Sequence, residues 1–379
     1  MSILDWKPDW QEARQHHIRW WRRESLALHL TCPRATPLAT GPAPPPPADL
    51  LRRWTDPVYR VDAAEHRMAN TLYLAEAFPY FDGNLGPGST NILLGSAPRF
   101  AEETVWYDPC ILDPDTYGPI RFDATPANRW WQVQMDLLRE ARRRCRGRYL
   151  LSVPDLIENL DVLAALRDTQ AMLMDLVERP EWVKARLAEI NRAYFAIFDR
   201  VFDLIRDEQG GNVYCAFHIY GPGKTAKVQC DLACMLSPAM FREFVVGPLT
   251  EQCRYLDYSM FHLDGEDALP HLDALLAIKP LKAIEWTPIG ASGRIAGRPT
   301  GGDPCWYDLY RRILAAGKAV QAIQLKVDEV VPLIDAVGPD GLFIEVSAPD
   351  EASAWKLYER TRSYYRHELC RKNEGVSET

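Results

Sequence analysis

A histidine and an aspartate, His262 and Asp264, stand two residues apart at the end of a short apolar run, SMFHL, that we predict as a strand. On a strand, side chains two positions apart point to the same face. Gly265 follows as a sharp turn, and an amphipathic helix begins near Glu266. An imidazole and a carboxylate on one face at a strand end can bind a metal or act as an acid/base pair. The alternative is a core histidine whose ring is fixed by a helix-capping aspartate.

Composition and charge exclude several classes of function. The chain has 379 residues and a net charge of −8, so no broad basic field attracts nucleic acid or an anionic membrane. No apolar run approaches the roughly 18 residues that a membrane span needs, and the N-terminal residues lack the apolar core of a signal peptide. The nine cysteines are scattered, with no C-x-x-C pair, as in a reduced cytosolic protein. We therefore expect a cytoplasmic protein that acts on a small molecule.

Eight short apolar runs alternate with helical segments, which is typical of an α/β fold of the (β/α)8 type. The runs predicted as strands cover residues 25–33, 77–81, 148–153, 213–221, 259–263, 283–286, 319–325 and 341–347. The segments predicted as helices cover residues 9–24, 60–76, 128–146, 156–176, 180–206, 238–257 and 351–366. We predict a single TIM barrel over residues 51–370. Residues 1–50 hold a helix, the first strand and a proline-rich loop at 36–47, and residues 371–379 form a flexible tail.

Polar side chains cluster at the predicted carboxyl ends of these strands, where barrel enzymes carry out their chemistry. They are Asp82, Asn84, Asp155, His218, Asp231, His262, Asp264, Glu285, Gln324, Lys326, Glu345 and Ser347. Two histidines and many carboxylates on one rim exceed what core packing needs, so we predict an enzyme with its site there. The loop after the second strand contains Gly86 and Gly88, whose backbone can approach a ligand closely. It lacks the spacing of a nucleotide-binding loop, and a tight turn without ligand contact is the alternative.

Several longer blocks resemble the uroporphyrinogen decarboxylase superfamily. They are NLGPGSTNILLG, RYLLSVPDLIENLDVLAALRD, DLACMLSPAMFREFVVGPL, YSMFHLDGEDALPHLDALLAIKPLKAIEW, and AAGKAVQAI before GLFIEVSAPDEA. The resemblance runs from about Leu51 to Arg366. It implies a barrel enzyme related to tetrapyrrole decarboxylases and to the zinc-dependent methyltransferases that take methyl groups from corrinoid proteins.

The methyltransferase branch implies a metal site at the central strand. Its H-x-C-G motif and a cysteine after the last strand hold zinc. His262 and Gly265 match the motif, Asp264 stands in place of the first cysteine, and Glu345 is the donor nearest to the position of the second. The resemblance thus implies a divalent metal, zinc or another ion that accepts nitrogen and oxygen donors, at His262, Asp264 and Glu345. It also implies a corrinoid protein as partner.

The remaining rim residues receive roles around this metal. Asp155 and Asp231 are expected to orient the substrate or move protons beside His262 and Asp264. The substrate contacts are expected from Asn84, Gly86, Gly88, His218 and Glu285. The partners expected are a small-molecule substrate and the corrinoid protein, and a homodimer is left open.

Two other functions stay open from the sequence. The decarboxylase branch carries an N-terminal block with arginines that hold substrate carboxylates, and only Arg34 stands near the corresponding place here. We therefore rank tetrapyrrole decarboxylation below methyl transfer. The third function is tetrapyrrole or corrinoid binding without catalysis, because an altered ligand set is also what a degraded site would show. An enzyme should bring His262, Asp264 and a third donor within reach of one ion.

Overall fold

The computed structural model describes residues 4–39, 41–288 and 297–374, with side chains as far as residue 365, and it shows an α/β fold. The strands are β1 Ala27–Pro33, β2 Thr71–Ala75, β3 Tyr80–Phe81, β4 Ala97–Phe100, β5 Val105–Asp108, β6 Leu150–Val153, β7 Asn212–Tyr214, β8 Ile219–Gly221, β9 Thr225–Gln229, β10 Tyr258–Asp264, β11 Ala283–Thr287, β12 Ala319–Ala322 and β13 Leu342–Ser347. The helices are α1 Trp10–Trp21, α2 Leu50–Thr55, α3 Pro57–Ala69, α4 Ser89–Leu93, α5 Arg129–Cys145, α6 Asn159–Arg167, α7 Thr169–Glu178, α8 Pro180–Ile205, α9 Pro238–Met240, α10 Val246–Tyr255, α11 Leu272–Leu276, α12 Tyr307–Ala315, α13 Val330–Val337 and α14 Glu351–Glu374. Within those ranges, no helix is both long and apolar enough to cross a membrane.

Most of the strands belong to one seven-stranded sheet in the order β2-β1-β13-β12-β11-β10-β9, parallel except for β2. A second sheet has the order β3-β6-β7-β8. Between β7 and β9, the side-chain amide of Asn212 bonds the backbone N–H and C=O of Thr225, at 2.8 and 2.9 Å. These bonds bring the two sheets together, which is consistent with a barrel-like fold, but the backbone ladders of the described strands do not join into one ring. The closed (β/α)8 barrel remains a prediction.

Three parts of the predicted chain course are wrong in detail. The helix predicted over residues 60–76 ends at Ala69, and residues 71–75 form β2, which pairs antiparallel with β1. Phe217 and His218 have φ values of 62° and 53°, which turn the chain back and split the predicted fourth strand into the antiparallel β7 and β8. Strand β9 was not predicted. Its short run, TAKVQ, carries a lysine and a glutamine on the face that turns out to line the interior.

The ends of the chain differ less from expectation. The final helix begins at Glu351 as predicted and continues to Glu374, past its predicted end at Arg366. The last part of the predicted tail, residues 375–379, lies outside the described residues. The proline-rich segment forms neither helix nor strand at the positions described.

The strand register places polar side chains side by side at the carboxyl end of the main sheet. His262 pairs in register with Gln229 on one side and Glu285 on the other, and Glu285 pairs with Gln321. Farther along the sheet, Glu345 pairs with a histidine of β1, His29. Partners in a parallel register point to the same face, so the interior at this end is polar. The large apolar side chains of the same strands, such as Phe261 and Trp286, are buried on the opposite face.

A buried glutamate joins both ends of the chain at the amino end of the sheet. Glu76, only 2% exposed, accepts hydrogen bonds from His16 in α1 (2.7 Å), the backbone N–H of Leu28 in β1 (2.7 Å) and the hydroxyl of Tyr365 in α14 (2.6 Å). The backbone carbonyl of the same residue bonds the ring of His17 at 2.9 Å. This Glu76 lock fixes the first and last helices against the sheet, away from the rim.

Candidate metal-binding and catalytic site

Three side chains at the carboxyl ends of β9 and β10 converge. His262 and Asp264 lie in β10, and Asp231 lies in the short 3-10 helix that follows β9. One donor atom from each lies within 4.8 Å of the others. Donors about 2.0–2.2 Å from a zinc ion are at most about 4.4 Å apart, so small side-chain movements would close the group around an ion. One imidazole and two carboxylates suit zinc or a harder divalent metal.

His262 is held from behind by a fully buried carboxylate. Its Nδ1 donates to Glu285 Oε2 at 2.5 Å, and the other oxygen of Glu285 accepts from the hydroxyl of Thr287 at 2.6 Å. The ring of Phe217 packs against the imidazole, with centroids 4.8 Å apart. Burial opposes the charge on His262, but Glu285 outweighs it and raises the pKa of the imidazole. A carboxylate on Nδ1 fixes the tautomer that leaves Nε2 for a ligand. Glu285 is fully buried, and the substrate contact predicted for it stays a prediction.

Replacing Glu285 by glutamine is expected to weaken metal binding about 10- to 100-fold, the usual effect of losing a carboxylate behind a metal-binding histidine. Glutamine keeps an oxygen for Nδ1–H but removes the negative charge that raises the basicity of the ring. Competition with a chromophoric chelator measures the change. The matched control is Glu329→Gln, which alters a carboxylate that bonds Thr300 and the backbone of Lys326, near the start of α13. Equal affinities of the Glu285 variant and the wild type would contradict the supporting role.

Glu345 is not the third donor of this group. Its carboxylate accepts from Nδ1 of His218 at 2.9 Å, and the third side chain beside His262 and Asp264 is Asp231. The error arises because β13 is three strands away from β10 in the sheet. His218, predicted at the end of a strand, lies instead in the turn between β7 and β8.

Asp155 forms an ion pair with a buried lysine, Lys227, that was not among the predicted site residues. The side-chain oxygen Oδ1 of Asp155 accepts from Lys227 Nζ at 2.8 Å and from the hydroxyl of Tyr214 at 3.2 Å, and its backbone N–H donates to the side chain of Asn84. The side chain of Lys227 is 3% exposed. Burial opposes its charge, but Asp155 and Glu158 outweigh burial and raise the pKa of the lysine. Because Lys227 lies on the unpredicted β9, only the register of that strand reveals its inward position.

Asp231 has an acidic neighbour, Asp161, at the start of α6. Gln229 Nε2 donates to one oxygen of each, at 2.9 and 3.0 Å. Asp161 also accepts from the backbone N–H groups of Asp231 (2.9 Å) and Leu232 (3.2 Å), which stabilise its negative charge. Burial, followed by the charge of Asp161, raises the pKa of Asp231 to about 6. A cation bound beside Asp231 would therefore compete with the proton for this carboxyl group.

Two clefts meet at this rim. One hollow, which we call the metal cleft, has a volume of about 540 Å³. Asp231 and His262 are among its polar lining residues, and Ile157, Leu232 and Met235 are among its apolar walls. A second hollow, the arginine cleft, has about 490 Å³. Its basic and acidic lining residues are Arg53, Arg60, Arg67, Asp82, Glu102, Glu103 and Asp155. The clefts share Pro87 and Asp155, so a ligand could extend from one into the other.

The glycine loop shapes these clefts through packing. Gly86 has φ 95°, and a Cβ there would lie 2.5 Å from the Cβ of Val105. Gly88 has φ 86°, and a Cβ there would lie 2.7 Å from Ile157. Gly86 and Asn84 line the arginine cleft, whereas neither cleft, as lined by the described residues, includes Gly88. A tight turn therefore accounts for both glycines, and the substrate contacts expected from them stay predictions.

The fold is similar to that of a methyltransferase. A methyltransferase from Methanosarcina mazei aligns over 93% of this chain and 99% of its own, with a TM-score of 0.58 and 9% identity. At that identity the likeness shows the fold alone. No family model matches the chain, and no curated protein matches it. The resemblance to the uroporphyrinogen decarboxylase superfamily therefore stays a prediction from the sequence.

Proposed function

We propose that the chain is a metal-assisted group-transfer enzyme, a methyltransferase, whose metal is held by Asp231, His262 and Asp264. The convergence of these three donors, with His262 supported by Glu285, carries the proposal. The likeness of the fold to a methyltransferase agrees with it. A divalent metal bound there supplies a Lewis acid that lowers the pKa of an acceptor heteroatom.

The side chains around the group would bind and orient the substrate. The apolar walls of the metal cleft, including Ile157 and Leu232, exclude water from the reacting atoms. Lys227 holds Oδ1 of Asp155 at the junction of the two clefts. The second carboxylate oxygen of Asp155 would accept a hydrogen bond from the substrate. The open mouth beside the exposed Met235 is where a methyl donor, such as a corrinoid protein, would approach.

Elemental mass spectrometry of the purified protein tests the metal. We expect about one divalent ion per chain in the wild type and near zero in His262→Ala and Asp264→Asn, because each variant removes one of three donors. His66→Ala, which alters a histidine of α3 bonded to the carbonyl of Gly41, should keep the ion. The variants without metal should also fail to move the methyl group of free methylcobalamin to a small thiol. A wild type that binds no zinc, cobalt or iron even after incubation with each would refute the mechanism.

The arginine cleft gives tetrapyrrole decarboxylation an observation in its favour. Arg53, Arg60 and Arg67 line it, as a substrate with many carboxylates requires. However, Arg60 donates to the backbone carbonyls of Trp54 and Asn84, at 2.9 and 3.0 Å, and two glutamates share the cleft. We therefore keep decarboxylation second. Turnover of uroporphyrinogen by the wild type, without methyl transfer, would reverse the order, and tight binding without turnover would favour the non-catalytic binding protein.

A further inference from the structure

The rim carries a second histidine–carboxylate dyad, built like the first. Nδ1 of His218 donates to Glu345 Oε2 at 2.9 Å, as Nδ1 of His262 does to Glu285. No described residue hydrogen-bonds Nε2 of His218, so this nitrogen is left for a ligand. The second dyad differs in one respect. Among the described residues, the metal-competent group contains only Asp231, His262 and Asp264, so the second dyad lacks the additional donors that a metal needs.

The backbone that holds His218 is strained. Phe217 and His218 are consecutive non-glycine residues with positive φ, a strained conformation that concentrates at functional sites. Gln321 Nε2 donates to the carbonyl of Phe217 at 2.8 Å and holds the turn. As a result, the Phe217 ring covers His262 while the His218 ring turns to the opposite side, toward Glu345. The fold thus maintains a costly turn that serves both dyads.

A polar hollow of about 210 Å³ lies in front of the second dyad. His218, Glu345, Thr31 and Tyr73 are among its walls, and Arg67 lines both this hollow and the arginine cleft. The hollow is therefore reached from the same rim. Its volume suits a small polar group or one end of a larger substrate. The side chain of His218 is 28% exposed and lines this space.

We propose that the His218–Glu345 dyad is a second functional centre, a general acid/base that exchanges a proton with a hydroxyl, thiol or amine group of a substrate lodged in this hollow. Nε2 forms the new N–H bond while the heteroatom–H bond breaks, and the electron pair stays on the heteroatom. Glu345 balances the positive charge that appears on the ring. The reverse transfer returns the proton to the product or to water. The proposal needs no metal at His262.

The residues to which the sequence assigned proton movement are poorly placed for it. Asp155 is engaged by Lys227 and Tyr214, and Asp231 belongs to the metal-competent group. A histidine with its Nδ1 oriented by a carboxylate and its Nε2 free is the arrangement that general acid/base catalysis uses. His16 also has its Nδ1 on a carboxylate, that of Glu76, but it lies at the amino end of the sheet. At the rim, His218 is the described histidine outside the metal group that meets these conditions.

The charges around His218 favour its protonated form. Burial opposes its positive form, but the charge and hydrogen bond of Glu345 outweigh burial and raise the pKa of the imidazole. The other titratable groups that face it are His29 in β1, stacked at 4.1 Å between centroids, Tyr80 in β3, edge-on at 5.5 Å, and Asp82. Burial lowers the pKa of His29 far below its usual value, so that ring stays neutral. Arg67 contributes a positive charge at the hollow.

Nitrogen NMR of protein labelled at histidine tests the dyad without any substrate. The signals of His218 are assigned as those lost in His218→Gln. We expect its neutral form to carry the proton on Nδ1 and its titration midpoint to lie above the ordinary value of about 6.5. Glu345→Gln should lower that midpoint. A neutral form protonated on Nε2, or no titration between about pH 5 and 9, would overturn the proposal.

The catalytic arm uses the methyl-transfer assay with methylcobalamin and a small thiol. His218→Gln should keep its metal and its KM, lose about 100-fold in kcat and lose the pH dependence that the wild type shows near neutrality. His66→Gln is the matched histidine control and should behave as the wild type. Unchanged kcat and pH profile in His218→Gln would overturn the dyad. If the wild type itself transfers no methyl group, the proposed function fails, and the NMR result alone decides the dyad.

Discussion

Replacing Lys227 by methionine is expected to lower the free energy of unfolding by about 3 kcal/mol. The ammonium group is almost completely buried and donates to Asp155 and to the side-chain oxygen of Gln229. Methionine keeps most of the volume but leaves Asp155 and the nearby Glu158 without their cation. Removing one partner of a buried ion pair costs roughly 3–5 kcal/mol. We expect a loss at the lower end of this range because the side chain of Asp155 is still 18% exposed to solvent.

Urea unfolding measures this loss against a matched lysine. Lys224 bonds Asp199 at 2.6 Å, but the two side chains are 28% and 49% exposed, so Lys224→Met should cost at most about 1 kcal/mol. Adding Asp155→Asn to Lys227→Met removes the unpaired charge and should recover part of the stability. Similar losses of stability in the two lysine variants would show that the unpaired charge left at Asp155 does not destabilise the fold.

Replacing Glu76 by leucine should destabilise the fold by about 4 kcal/mol, because it removes the acceptor of several buried donors, each worth about 1–3 kcal/mol when left unpaired. The donors are the ring of His16, the backbone N–H of Leu28 and the hydroxyl of Tyr365. Leucine has a similar size, so the loss reports the hydrogen bonds and not a cavity. Leucine at the exposed Glu178 of α7 is the control and should cost under about 0.5 kcal/mol. A small loss at Glu76 would mean that water replaces its bonds.

The same residue makes stability depend on pH. Burial opposes ionisation of Glu76, but His16, Tyr365 and the N–H of Leu28 outweigh it and lower the pKa of this carboxyl. Because the folded pKa lies below the unfolded one, the ionised group adds stability above about pH 4.5. That stability is lost as the pH falls through the folded pKa. Glu76→Gln should therefore lose less stability than the wild type between about pH 6 and 3.

The central strand could be read from the sequence because its information is local. His262 and Asp264 share a face by spacing alone, and the apolar run around them makes the strand plain. Their third partner could not be read in the same way. Asp231 reaches them only because β9 lies beside β10, and strand neighbours are set by tertiary pairing. Glu345 was chosen by resemblance to a ligand set that this chain does not share, and it pairs with His218 instead.

The missed elements have a common cause. Strand β9 was hidden because Lys227 and Gln229 face inward, where a buried strand usually shows apolar residues. Strand β2 was hidden because its residues also fit the end of a helical pattern, and only pairing with β1 decides between the two. The turn at Phe217 and His218 contains neither glycine nor proline, the residues that usually indicate a turn in a sequence. In each of these three cases tertiary contacts outweighed the local preference of the sequence. Two of the three, β9 and the turn, contain residues of the proposed sites.

The Glu76 lock also determines when during synthesis the fold can be completed. The partners of the carboxylate stand 48, 60 and 289 positions away along the chain. A ribosome adds about 5–20 residues per second from the N-terminus, so Tyr365 is made long after the strands that it secures. Until Tyr365 is made, the carboxylate of Glu76 lacks one of its hydrogen-bond donors, and the last helix cannot be fixed against the sheet. A message cut short before Tyr365 would release a chain that lacks the last partner of Glu76.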